Sequence, residues 1–515
     1  MKKSVIKLMS VVLCIIMVIF TLSSCNNSNP TEKPGNNDTE TVDLKKVSLS
    51  FYLMGDPSND VDQVTGEINK LLLEDLNCDF KVTYSTWTDW SNKYNLMLAS
   101  GEPMDLLFAA NWTQYNAFVR KNAFQPLDEL LPKNAPNIWA LLPESRWDGV
   151  KVDGKIYGVP SNNKQFVQHG ATYREDLRVK YDLPEITNIE TLGLYIETVK
   201  ENEPDMNVPI LEPNVMCELF EPSIKYQYVD SQESKGPTNG LLLADPNKPS
   251  ELVSVFDLPE YKVMLKTMKS WADKGFWSKS VLSSQEDATQ NFEAGKIPVI
   301  IGQQLAKSTG VAEYCEKNQP DWEVGFFHYN DMSGIVHQAL PTQDLMVVPK
   351  DAPNPERALM VLDKFMTDRT YYDLTSYGIK DLNYHLNEEG MLDNSAIDST
   401  HSFDLAGWAW SNSDLRYKSV TEWSKFQPIV DRLSKAESPN KFAGFTIDLT
   451  PVQTEHAAIN QVYNQYLIPL QSGLVDDVDA AFDTMVERMN SAGFIKFKDE
   501  IQKQLNDYLT SNGIK

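Results

Sequence analysis

From Lys45 to Ala110 the hydrophobic period switches repeatedly between two residues and 3.6, and this alternation limits the fold more than any other feature. The stretch "KVSLSFYLMG" reads as a strand, "DVDQVTGEINKLLLEDL" as a helix with Val64, Ile68, Leu71 and Leu72 on one face, and "CDFKVTYST" as a second strand. A second helix, "TDWSNKYNLMLAS", leads through Gly101 into a third strand, "MDLLFAA". Strands joined by helices pair in parallel, because each helix returns the chain to the same end of the sheet, and the helices then cover the sheet faces. The expected class is therefore α/β. In such sheets ligands sit beyond the carboxyl ends of the strands, which directs attention to residues 54–56, 86–90 and 111–115.

A second set of elements begins near Ala171. "YREDLRVKYDL" and "NIETLGLYIETVKE" predict helices, residues 212–257 are irregular and rich in Pro, Asn and Ser, and a helix follows that ends at Gly275. "NFEAGKIPVIIG", "WEVGFFHY" and "DLMVVPK" each hold a predicted strand, and from Pro355 the chain is mainly helical. Apolar residues make up 42% of the 515, including 21 Phe and 11 Trp. That is enough for more than one core, and the length predicts two or three lobes.

The amino-terminal segment has a different composition. Lys2, Lys3 and Lys7 precede an apolar run from Leu8 to Leu22. As a helix that run would reach only about 22 Å, short of a hydrocarbon core of roughly 30 Å, so it reads as a secretory signal rather than a membrane span. It ends on Leu22-Ser23-Ser24-Cys25, and residues 26–42 are polar, with Asn, Thr, Pro and Gly and little to bury, which predicts a disordered tether. Loss of residues 1–24 would deepen the net charge of −25 to −28, since the segment carries three lysines and no acid. A chain this acidic is unsuited to nucleic acid. Cys78, Cys217 and Cys315 remain beyond the tether, an odd number at wide spacing, and are expected to be buried thiols rather than a disulfide framework.

The segment Leu22–Cys25 resembles the lipobox of bacterial lipoproteins, in which the cysteine carries lipid; the alternative is an ordinary signal with Cys25 incidental. The ordered stretches "NAFQPLDELL", "VDGKIYGVP" with "TYREDL", "FEAGKIPVIIG" and "DLMVVPKDAPNPERALMVLDKFM" resemble the extracellular solute-binding proteins of family 1, the maltose-binding-protein-like group. "TSYGIKDLNYHLNEEG" and "GFTIDLTPVQTEHAAINQVYNQYLIPLQSGLVD" are similar to a lipoprotein oligosaccharide-binding branch with an extra helical carboxyl-terminal region. The resemblance implies a two-lobe periplasmic-binding-protein-like fold that closes at a hinge. It places residues 43–165 and 325–345 in the first lobe, and 166–324 and 346–515, including the extra helices, in the second. Crossings are expected between Val159 and Tyr173, near Trp322–His328 and near Leu340–Val348. The resemblance also implies an oligosaccharide ligand, permease subunits of an ATP-binding-cassette importer as partners, a membrane anchor through lipid on Cys25 facing the extracellular side, and no cofactor.

A sugar offers C–H faces to aromatic rings and hydroxyls to planar amides and carboxylates. Trp87, Asp89, Trp90, Asn111, Trp112 and Tyr115 follow predicted strands and supply this chemistry, with core packing as the competing reading for each aromatic. Asn162, Asn163 and Gln165 fall at the expected first crossing, where an exposed loop is the alternative. The family resemblance aligns Gln303 or Gln304 with a ligand-stacking tryptophan; the residue type here departs from that pattern, and an amide-to-hydroxyl contact takes the place of stacking in this reading. It places Gln343 and Asp344 in the cleft. Trp408 and Trp410 could line the cleft or staple the extra region to its lobe.

There is no G-x-S-x-G elbow, P-loop, G-x-G-x-x-G or H-E-x-x-H, and the six histidines show no metal-ligand spacing. A surface glycoside hydrolase, which needs two carboxylates about 5 to 9.5 Å apart, and a receptor for peptide or another small solute remain as alternative readings. The latter calls for a fixed arginine, and Arg174 is the arginine near the expected cleft.

Overall fold

The structure, a computed structural model, describes residues 44–514 except Thr88, 164–165, 167–168, 207–214, 230–239, Gln285 and Ala443. The signal, lipobox and tether readings, Gln165 and the Cys217 side chain lie outside the described residues.

The alternating segments fold as their periods require. β1 (Val47–Met54) runs parallel to β2 (Cys78–Ser85), in register from Val47↔Cys78 to Met54↔Ser85, and on its other side pairs with β3 (Leu106–Ala109) through Phe51↔Leu106. The connecting helix Val61–Leu76 buries Val61, Val64, Ile68 and Leu72, one residue per turn. It stops where Asn77 adopts φ 44° and returns its N–H to Leu72 O. The Arg357 guanidinium takes up the carbonyls of Leu76 and Asn77 at this end. Cation and helix terminus are thus matched.

A short ribbon of β4 (Lys151–Val152) and β5 (Lys155–Ile156) leads to β6 (Gly158–Pro160). The chain then passes to β7 (His169–Arg174), the centre of a second sheet. A separate meander of β8 (Gln227–Tyr228), β9 (Leu242–Asp245) and β10 (Lys248–Ser254) follows. β11 (Val299–Gln304) and β12 (Val324–His328) flank β7 on either side, both antiparallel to it. The return strand β13 (Leu345–Val347) inserts between β3 and β6, antiparallel to both, which completes a first sheet of order β2-β1-β3-β13-β6. Outward and return strands therefore lie side by side. Gly158 allows their approach, because a Cβ there would stand 2.7 Å from Leu345 Cδ1.

Burial divides the chain into two lobes. One core combines β1–β3 and their helices with Val347, Leu362, Phe365, Leu405 and Trp410. The other combines β7, β9 and the helix Pro259–Asp273 with Phe482, Met485, Phe497, Ile501 and Leu505. The extra helices Gln453–Val462, Val478–Ser491 and Phe494–Ser511 are thus fused into the second lobe. A smaller cluster under β11 and β12 includes Phe292, Val311, Trp423 and Leu433.

The expected lobe boundaries shift in two places. β12 belongs to the second sheet, since every residue of Val324–His328 pairs with β7. The helix Pro355–Thr367 belongs to the first lobe, because its apolar face (Leu359, Leu362, Phe365, Met366) packs into the first core. Residues 346–410 therefore do not follow the return crossing into the second lobe. They lead to a third crossing, in which Asn162 and Asn412 form a parallel bridge and the chain continues to Trp423 in the second lobe.

Candidate functional site

The carboxyl ends of β2 and β3 carry the aromatic residues that the strand rule selects. After β3, Ala110 is extended, and Asn111–Thr113 make a single tight turn held by Ala110 N–H donating to Thr113 Oγ1 at 2.8 Å. This turn projects Trp112, whose indole N–H donates to Gln343 O on the return crossing at 3.0 Å. After β2, Trp87 lies along the Trp112 ring, with centroids 6.0 Å apart and planes 26° apart. It lies equally along Trp408, at 5.9 Å and 27°. Phe108 supports both partners from below, 5.7 Å from Trp112 and 4.7 Å from Trp408, and Trp90 meets Trp112 edge-on at 5.9 Å. The result is a wall of four indoles drawn from three distant stretches. Its outermost ring, Trp87, remains 52% exposed.

Asn111 and the Gln343 backbone bring polar groups to Trp112, and Asp344 and Gln304 lie at the ends of β13 and β11. Asn111 accepts Trp112 N–H on its Oδ1 at 2.8 Å, and its amide Nδ2 makes no hydrogen bond to described residues. Gln343 and Gln304 are half-buried, with side-chain amides equally unengaged among the described residues. Asp344, 9% exposed, sits where β13 meets the crossing, and its own carbonyl accepts Ser161 N–H at 3.1 Å. Burial raises its carboxyl to about 7, with the nearby Arg146 pulling the other way. Burial in turn lowers Arg146, which the Asp344 charge offsets, and Arg146 donates to Ser161 O. Nothing local in the sequence distinguishes Arg146, one arginine in a short helix, Glu144–Asp148. Only the packing of β6 against β13 brings it beside Asp344.

Several expected contacts are placed elsewhere. Tyr115 is fully buried and donates to Val150 O at 2.8 Å, because Gln114 at φ 65° reverses the chain and turns the ring inward. Trp410 is fully buried against Phe365 in the first core. Gln303 is inside the second lobe, accepting Thr172 Oγ1 at 2.7 Å and donating to Thr289 Oγ1 at 3.2 Å. Asn162 is taken up by the third crossing: its Nδ2 donates to Asn412 Oδ1 at 2.8 Å, and its backbone bonds to Ser411 and Ser413. Asn163 accepts from Ser413 Oγ at 3.2 Å. Asp89 is exposed and lies 3.7 Å from Lys93, a surface pair. Arg174 is a structural residue, since it donates twice to Asp176 and stacks 3.6 Å from the Trp322 ring. A cavity of about 430 Å³, lined by Met104, Phe118, Lys121 and Lys350 among others, opens beside the amino end of β3, opposite the aromatic wall.

Two α/β lobes joined by three crossings, with an aromatic wall at the strand ends beside those crossings, define the two-lobe solute-binding fold. The chain belongs to the bacterial extracellular solute-binding protein family, whose model matches residues 72–376, and a domain of unknown function (DUF3502) matches residues 441–510. It is 24% identical to a carbohydrate ABC transporter substrate-binding protein of Streptococcus pneumoniae over 95% of both chains. It is 23% identical to lipoprotein LipO of Bacillus subtilis over 95% of this chain and 96% of that one. The N-glycan transport solute binding protein NgtS of S. pneumoniae has the same fold, with TM-score 0.74 at 22% identity over 91% of this chain and all of that one. The structure of NgtS in complex with Man5GlcNAc aligns at TM-score 0.67, with 21% identity, over 90% and 99%. The family binds solutes and is not enzymatic. No helix among the described residues is long and apolar enough to cross a membrane.

Proposed function

We propose that this protein is a lipid-anchored extracellular receptor that captures an oligosaccharide between its lobes and presents it to an ATP-binding-cassette permease. The observation that carries the reading is the convergence of Trp87, Trp112 and Trp408 on one wall whose outer ring is open to solvent. Indole faces take the C–H faces of pyranose rings, while Asn111, Gln304, Gln343 and Asp344 offer donors and acceptors for hydroxyls. The carbohydrate relatives support the same ligand class. Ligand bound to one lobe draws in the other and shifts an open–closed equilibrium toward the form the permease takes.

Calorimetric titration against plant, microbial and host oligosaccharides, Man5GlcNAc among them, tests the ligand class. Saturable binding of one sugar class, recovered uncleaved, is the expected result. A cleaved sugar would indicate a hydrolase, and silence across the panel would point to a peptide or other solute. The anchor is tested separately. Cys25→Ser is expected to release the protein from cells into the medium, because serine has no thiol to carry the lipid that would hold it. Retention of the variant at the membrane would remove the lipid from the proposal.

A further inference from the structure

The carboxyl-terminal region of unknown function lies in the second lobe, yet one of its loops reaches the first. Residues 444–448 are clamped to the last helix, Phe494–Ser511. Gln504 accepts Asp448 N–H at 2.8 Å and donates to Asp448 O at 2.9 Å, and Tyr508 Oη accepts Gly444 N–H at 3.3 Å. Phe445 anchors the loop, fully packed in the second core, with Ile447 against it. With its inner face fixed in this way, the loop turns Thr446 Oγ1 and Ile447 O outward. Both accept hydrogen bonds from Arg120 of the first-lobe helix Tyr115–Arg120, the carbonyl at 3.2 Å. Asp448, held low mainly by its bonds to Thr450, adds an attractive charge toward Arg120. Among the described residues these are the hydrogen bonds that join the body of one lobe to the body of the other; the remaining polar links between lobes run through the crossing segments.

We propose that residues 441–510 act as an interlobe latch, with Arg120 as its bolt, which holds the cleft open and so sets the affinity of the receptor. The latch is fastened in a structure whose outermost indole, Trp87, is 52% exposed, and on that ground it is assigned to the state that admits ligand. Releasing it removes a contact from the open form only. By population-shift arithmetic, the free energy lost from the open form reappears as tighter apparent binding. This direction rests on the receptor reading. The existence of the latch does not, because lobe separation can be measured without any ligand.

The test compares the intact protein with Arg120→Ala and with Thr446→Val, which removes one acceptor and keeps the side-chain volume. Lobe separation is read by small-angle scattering and by spin-label distances, without sugar. Oligosaccharide affinity is read by calorimetry. Arg120→Ala is expected to shift the ligand-free distances toward the closed form and to tighten binding by about three- to tenfold, with Thr446→Val in between. Unchanged distances in Arg120→Ala would overturn the latch whatever the protein binds. Weaker binding by a folded Arg120→Ala would show that the contact belongs to the closed form and overturn the proposed direction.

Discussion

Trp87→Ala is expected to weaken oligosaccharide binding by at least about thirtyfold, the loss of roughly 2 kcal/mol that marks a dominant aromatic contact, while the melting temperature moves by no more than about 1 °C. The separation follows from position. Trp87 is the outermost ring of the wall and half exposed, so little of the core depends on it. It also lies along both Trp112 and Trp408, so a sugar ring resting on the wall meets Trp87 or takes its place there. Trp112 is a less discriminating probe, because its ring packs on Phe108 and Trp90 and its N–H bridges to the return crossing. Trp410 reports only on the core. Calorimetry and thermal melting on Trp87→Ala check the prediction together, and unchanged affinity in a folded variant would remove the wall from the binding site.

The parts of this architecture visible in the sequence are those governed by local periodicity. The first three strands and their helices follow from apolar spacing, and the rule of strand ends then points to Trp87 and Trp112 before any fold is known. The errors arise where one residue of register or a distant partner decides. Tyr115 is three positions from Trp112, but Gln114 enters the left-handed region without being glycine, so nothing in the sequence announces the reversal. Gln303 and Gln304 differ by one step on a strand. The register shift between Ile301 and Gln303, with Gly302 at φ 83°, decides which amide goes inside. Gly302 is the signal that could have raised the question. The engagement of Asn162 by Asn412 spans 250 residues and leaves no local trace. The same holds for the return of residues 346–410 to the first core, which their helical period permits in either lobe.

Asp344→Asn is expected to stabilise the ligand-free protein at pH 8 by on the order of 3 kcal/mol and, at that pH, to weaken sugar binding by about tenfold or more. In the folded chain the carboxyl is raised from 3.8 to about 7 by burial, with Arg146 too weak a counterweight to reverse it. The folded state therefore holds a proton that the unfolded state releases between those two values. That contribution is complete below about pH 4 and is lost as pH rises to about 7, above which the folded protein carries a buried charge with no hydrogen-bond partner among the described residues. Asparagine has the same shape and no charge, so the variant should show a smaller fall in melting temperature between pH 5 and pH 8. Part of the slope should persist, because burial also raises the half-buried Glu221 to about 7. If Asp344→Asn melts no higher than the parent at pH 8, the carboxyl is not the destabilising group. Sugar hydroxyls donating to Asp344 would supply the partners that the free protein lacks, and would favour its charged form. Binding by the parent protein should then strengthen as pH rises through about 7, and the variant should lose that dependence. If sugar hydroxyls pair with Asp344 in this way, ligand affinity is tied to the same buried charge that strains the fold.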